Sequence, residues 1–256
     1  MDDFSRDLIK QINKDAGSQV AYNLGEGLAP TVVKSWISTG SRQLDAIIKN
    51  DGFGGLPSGR IVEISGPFGC GKSTLSALIA GNTQKNDGIV IYIDSESATS
   101  PTNLAVMGVD VKKKFVFVQT GCTEEAFSIA ESAILKSKTM SKDVPITVII
   151  DSIAALAPKA ELEGDYDQNT IGLQARILGK ALRKITNIIA DKNVLLVLIN
   201  QQRTKIGVSY GDPTTTTGGM ALPYFCSTRI QLSAGSQLKD TKDGDRIYGV
   251  EIQAKT

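Results

Sequence analysis

Gly66, Gly69 and Gly71 fall within six residues, and Lys72, Ser73 and Thr74 follow them without a break, in the stretch GPFGCGKSTL. Glycine at this density frees the backbone to curl until successive N–H groups point at one anion. Lys72 brings a full positive charge, and Ser73 an oxygen of the kind Mg2+ accepts. The spacing is G-x-x-x-x-G-K-[ST], a cradle for nucleotide phosphates. Its expected members are Gly66, Pro67, Phe68, Gly69, Cys70, Gly71, Lys72, Ser73 and Thr74. The plain alternative is a glycine-rich turn that matches by accident. An apolar RIVEIS before the loop and an amphipathic STLSALIAGNTQK after it weigh against that. Cys70 reads as a small space-filling residue, with an activated thiol at a helix start as its alternative.

Mg2+ also takes a carboxylate, usually through water. ITVIIDS supplies Asp151 at the end of an aliphatic run, where a plain helix cap is the competing reading. Hydrolysis needs a group that orients or deprotonates water. IVIYIDSES offers Glu96 as the first choice and Asp94 as the alternative. VLLVLINQQR runs into Asn200 and Gln201, whose amides suit either sensing of a terminal phosphate or capping of a turn.

These groups need a scaffold that gathers them at one edge. Apolar runs predict strands at Ile61–Ser65, Ile89–Asp94, Phe115–Thr120, Ile146–Asp151, Val194–Asn200 and Thr228–Ser233, with helices over 73–85, 124–138 and 170–191. Continuous aliphatic strands alternating with helices predict an α/β fold, a mostly parallel twisted sheet with helices on both faces. Ligands in such folds gather beyond the carboxyl ends of the strands. Residues 34–256 make up this core. Residues 1–33 form a small arm, with Phe4, Leu8 and Ile12 at helical spacing and Gly17 as a stop. The arm must dock on its own core or on a neighbouring copy. Val250, Ile252 and Ala254 alternate with polar residues and predict a half-exposed edge strand. The chain then ends at Thr256 without a stop signal, as a fragment or a natural truncation would.

Lys and Arg number 28 against 27 Asp and Glu, a net charge of +1, so any basic surface is local rather than global. The absence of histidine excludes His-based triads and His metal ligands. Three scattered cysteines make no zinc-binding pair and fit a reducing compartment. No signal peptide and no span of roughly 20 apolar residues are present, which predicts a soluble intracellular protein.

Two polar stretches stand out as functional loops. One is ELEGDYDQN; the other runs from Gln201 to Pro223, rich in Thr and Gly and carrying Arg203 and Lys205. The helix over 170–191 has a buried stripe of Ile171, Ala175, Leu178, Leu182, Ile185 and Ile189. Its Arg176, Lys180, Arg183 and Lys184 lie on other faces, either as a solvated surface or as a grip on phosphates.

Several segments, in order and spacing, resemble the ATPase core of the bacterial RecA recombinase family, of a phage type. They include WISTGSRQLD, GGLPSGRIVEISGP, YIDSE, MGVD, DSIAALAPKAELEG, GLQARILGKALRK, INQQRTKIGV, GDPTTTTGGMAL and FCSTRIQL. The resemblance covers nearly the whole chain. It implies that Glu96 is catalytic, together with Lys72, and that Gln201 couples the nucleotide to DNA-binding loops at about 163–170 and 202–219. It implies DNA contacts from Arg176, Arg203, Lys205, Thr217, Gly218 and Gly219, with Ile206 wedged between bases. Residues 1–33 would pack on the next subunit.

The implied protein is a DNA-dependent ATPase of the bacterial cytoplasm that uses ATP and Mg2+. It would form helical filaments on single-stranded DNA and pair it with homologous duplex DNA. Asn103, Thr214, Met220 and Pro223 depart from the family's usual residues. The family's paired lysines and its C-terminal domain lie beyond the last residue here. A ring-forming helicase or regulatory ATPase on the same core is the main alternative reading, and a P-loop kinase a weaker one.

Overall fold

Strands that are aliphatic on both faces must be covered on both sides, and the structure, a computed structural model, is built that way. It describes residues 1–50, 54–140, 144–165, 172–204, 214–240, 244 and 246–256. In chain order the first elements are α1 (Asp3–Ala16), a 3-10 turn (Leu24–Glu26), β1 (Trp36–Ile37), α2 (Arg42–Lys49), β2 (Leu56–Pro57) and β3 (Ile61–Gly66). Next come α3 (Lys72–Lys85), β4 (Ile89–Asp94), α4 (Pro101–Val106), β5 (Phe115–Gln119), α5 (Thr123–Met140) and β6 (Ile146–Asp151). The chain continues through α6 (Lys159–Leu162), α7 (Leu173–Lys192), β7 (Val194–Thr204), β8 (Thr214–Thr216), α8 (Ala221–Phe225), β9 (Thr228–Asp240) and β10 (Arg246–Lys255).

The main sheet has the order β10-β9-β3-β7-β6-β4-β5. Its ladders are parallel except β9 with β10 and the short β7 with β8, which lies off this path. Alternate residues of each central strand feed two cores. Ile91, Ile93, Leu196 and Leu198 pack against α5 and α7, while Val90, Tyr92, Val197 and Ile199 pack on the side of α3. This is the doubly covered α/β sheet expected. α7 buries Leu178, Leu182, Ile185 and Ile189 as its stripe; Ile171 lies outside the described residues.

Register fixes the functional edge. Gly66 pairs with Gln201, Ser65 with Asn200, and Asp94 with Asp151. The carboxyl ends of β3, β4, β6 and β7 therefore share one rim.

Three expectations need correction. β7 does not stop at Asn200 but runs to Thr204, because β8 folds back on it and pairs Gln202 with Thr216, Arg203 with Thr215 and Thr204 with Thr214. The stretch after Gln201 is thus a β-ribbon at its two roots rather than loop throughout. β9 runs on to Asp240, well past Ser233, because β10 pairs with it along the extension. β10 is an edge strand, but its residues are exposed on both faces rather than alternately buried, since the outer part of the β9–β10 hairpin has no layer over it. In the arm, Asp2 caps α1 and Gly17 ends it in a left-handed conformation; the helix buries no residue, and Phe4 is 77% exposed.

Leu198 is fully buried in the middle of β7. Leu198→Ala is expected to lower the unfolding free energy by about 2–5 kcal/mol in urea denaturation. A loss below about 1 kcal/mol would mean that this strand is not the centre of the core.

Candidate functional site

β3 ends at Gly66, where the chain must pass another strand closely. A Cβ on Gly66 would lie 2.5 Å from the carbonyl oxygen of Leu232 in β9 and 2.5 Å from Cys70 Sγ. Only glycine fits there. Gly71 then takes a φ of +83°, a left-handed turn that starts α3. No side chain caps α3 and no acid sits in its first turn, so its leading N–H groups and the positive end of its dipole face the loop. A helix start of this kind attracts phosphate.

Lys72 Nζ donates to the carbonyls of Gly66 (3.1 Å) and Pro67 (2.6 Å), which holds the ammonium over the loop. Cys70 is buried in the core beneath, and the Phe68 side chain is 98% exposed. These two residues therefore offer the loop their backbone rather than their side chains.

Beside the loop lies a cavity of about 370 Å³ lined by Ser73, Thr74, Glu96, Asn103, Met107 and Asp151, among others. Asp151 is buried at the end of β6 and accepts a hydrogen bond from Tyr92 Oη at 2.8 Å. Burial pushes its carboxyl above the ordinary value; bonds from Tyr92 and Ser73 pull it partly back, and the charges of Glu96 and Asp94 add to the rise. Burial, with the Asp151 charge beside it, also raises the Tyr92 phenol.

Among the described residues no three His, Cys, Asp or Glu side chains converge as a metal cage. One hydroxyl and one carboxylate facing a phosphate loop is instead the donor set that fits Mg2+, which keeps its waters and leans on phosphate oxygens.

The two acids of β4's end divide clearly. Asp94 is buried; its Oδ1 accepts from the N–H groups of Glu96 and Ser97 (both 2.9 Å), and its Oδ2 from Thr99 N–H (3.0 Å). It shapes the turn. Glu96 is exposed in the rim, and its Oε1 accepts from Ser152 Oγ and from Gln201 Nε2, the latter at 2.8 Å.

Asn200 and Gln201 also divide. Asn200 is fully buried, and its Nδ2 donates to Glu63 Oε1 and to the carbonyl of Thr217, both at 2.9 Å. Its Oδ1 accepts from Gln201 N–H. Asn200 is a clamp; Gln201 is the amide that faces Glu96.

Glu63, 0% exposed in mid-strand, is a buried partner of Asn200 that the sequence pattern did not single out. It pairs with Arg229 Nε at 2.6 Å. Burial, with the Glu63 charge beside it, pushes the nearby Cys226 thiol up to about 12. The signal was an acid inside RIVEIS, an otherwise apolar strand. Tyr92 and Ser152 were likewise missed.

At the base of the ribbon's return strand, Gly218 and Gly219 pack on α7. A Cβ on Gly218 would lie 2.6 Å from Leu178 Cδ2, and one on Gly219 3.5 Å from Ala175 Cβ. Arg176, exposed in the first turn of α7, is the chain neighbour of Ala175. Arg176, Thr217, Gly218 and Gly219 thus fall in one region. Arg203 joins it only through its backbone pairing, while Lys205, Ile206 and residues 166–170 lie outside the described residues.

The family described as RecA N-terminal domain matches residues 5–256. Protein RecA of Chlorobium limicola is 40% identical over 247 residues, 96% of this chain and 67% of that protein. Protein RecA of Chlamydia abortus is 42% identical over 247 residues, with the same shares. Protein RecA of Clostridioides difficile is 39% identical over 245 residues, 96% of this chain and 66% of that protein. The chain spans about two thirds of the length of these curated relatives.

An acid held above its ordinary value of 3.8 binds its proton more tightly in the folded chain than in the unfolded one, so it costs stability once pH rises past that range. Asp151→Asn should therefore melt higher than the parent at neutral pH without nucleotide. The gap should shrink as pH falls toward 3.8. Thermal melts across pH would count against a buried, destabilising carboxylate if the variant melted lower at neutral pH.

Proposed function

The chain belongs to the RecA family, and on that premise we propose that it is a DNA-dependent ATPase that assembles on single-stranded DNA and promotes homologous pairing and strand exchange. The observation that carries this reading is the junction of Glu96 and Gln201. The acid beside the Gly66–Thr74 loop and the strand that leads into the 202–219 segment meet in one hydrogen bond.

ATP lies with its phosphates in the Gly66–Thr74 loop and its base toward Asn103. Lys72 exchanges loop carbonyls for phosphate oxygens. Ser73 and Asp151 would hold Mg2+, which would supply positive charge to neutralise the phosphates. Glu96 orients the attacking water, and Ser152 steadies its carboxylate. Gln201 turns its amide to the terminal phosphate, and β7 carries that change into the ribbon.

Arg176, Arg203, Lys205, Thr217, Gly218 and Gly219 hold the DNA backbone, with Ile206 between bases. Such contacts make binding insensitive to sequence and sensitive to salt. The arm, residues 1–33, offers the apolar Phe4, Leu8 and Ile12 to a neighbouring copy, which builds a helical filament. No helix among the described residues is long and apolar enough to cross a membrane. The reading sets the protein in the bacterial cytoplasm, whether encoded by the cell or by a phage.

The test is ATP turnover with and without single-stranded DNA, with the assembly imaged by electron microscopy. DNA should stimulate turnover and yield open filaments; closed rings, or a phosphorylated small molecule as product, would contradict the reading. Lys72→Ala should lose nucleotide-dependent DNA binding. Glu96→Gln should keep that binding while turnover falls about 10²–10⁴-fold.

A further inference from the structure

Tyr92 interrupts the aliphatic run of β4. Its ring is buried and lies against Phe117, its partner across the ladder, at 6.5 Å and 16°, and against Phe115 at 6.1 Å and 28°. Phenylalanine would fill the same space, so the hydroxyl is what needs a reason.

That hydroxyl donates to Asp151 Oδ2 at 2.8 Å and lies 3.4 Å from Ser76 Oγ. Ser76 Oγ in turn donates to the carbonyl of Ser73 at 2.9 Å. With the phenol's hydrogen given to Asp151 and the Ser76 hydrogen given to Ser73, the approach to Ser76 is a packing contact, and the phenol's one bond is to the carboxylate at the end of β6.

We propose that Tyr92 is a positioning residue for Mg2+: its hydroxyl fixes the plane of the Asp151 carboxylate, without touching the metal. The proposal rests on the nucleotide and Mg2+ reading of the site. A carboxylate has more acceptor positions than one phenol can use, so the bond to Tyr92 leaves capacity for the metal's waters. Mg2+ demands nearly ideal octahedral geometry, so a carboxylate free to rotate serves it poorly. Partners behind a ligand typically matter by a factor of about 10–100 in metal affinity.

The experiment is a titration of fluorescently labelled ADP binding with MgCl2, for the parent, Tyr92→Phe and Ser76→Ala, repeated in EDTA. Tyr92→Phe keeps the ring stack, so it folds. It should need about tenfold more Mg2+ for half-maximal effect, with its affinity in EDTA unchanged. Ser76→Ala, which removes the 3.4 Å contact to Tyr92 and the bond to the Ser73 carbonyl but leaves the Tyr92–Asp151 bond, should shift the midpoint less.

An unchanged midpoint in Tyr92→Phe overturns the proposal. So does an equal loss of affinity with and without metal, because that is the mark of a purely structural residue. A parent that binds labelled ADP without any Mg2+ dependence overturns the reading of the site itself, and this proposal with it.

Discussion

The hydrogen bond from Gln201 Nε2 to Glu96 Oε1 joins two strands that are not neighbours. β4 and β7 are separated by β6, and the side chains meet only because parallel register brings all three carboxyl ends to one rim. In the function proposed, the terminal phosphate competes with Glu96 for the Gln201 amide. A change of partner at one side chain then reaches the ribbon without any new fold, because Gln201 and the ribbon share a strand. Ser152 holds Glu96 from β6, so the acid is not left loose when the amide turns away.

A second constraint anchors the ribbon's return. Glu63, Asn200 and Arg229 tie β3, β7 and β9 together, and Asn200 also holds the carbonyl of Thr217. A carboxylate with no exposure is tolerable only when paired and hydrogen-bonded, and Glu63 is both. The same network ends on Gly218 and Gly219, packed against α7 beside Arg176. The rim proposed to hold phosphate and the surface proposed to hold DNA thus meet at the same carboxyl ends of the strands.

The tight turn from Gly66 to Gly71 was legible because its glycines answer a local steric need, as the approach of Gly66 to Leu232 makes plain. The parallel sheet was legible because burial on both faces writes itself as unbroken aliphatic runs. Other features depend on partners distant in sequence. The extension of β7 follows from β8, ten residues beyond it, and the choices between Asp94 and Glu96 and between Asn200 and Gln201 depend on which amides each meets. Tyr92 and Glu63 are single polar residues in apolar strands, and their purpose appears only when Asp151 and Arg229 stand opposite. Lys205 and Ile206 lie outside the described residues and remain expectations from sequence.

The central claim is that the nucleotide's terminal phosphate, read at Gln201, sets the grip on DNA. The direct measurement is fluorescence anisotropy of a labelled single-stranded oligonucleotide at fixed salt, with a non-hydrolysable ATP analogue in one arm and ADP in the other. The account predicts affinity at least about fivefold higher with the analogue. Equal affinities in the two arms would contradict it.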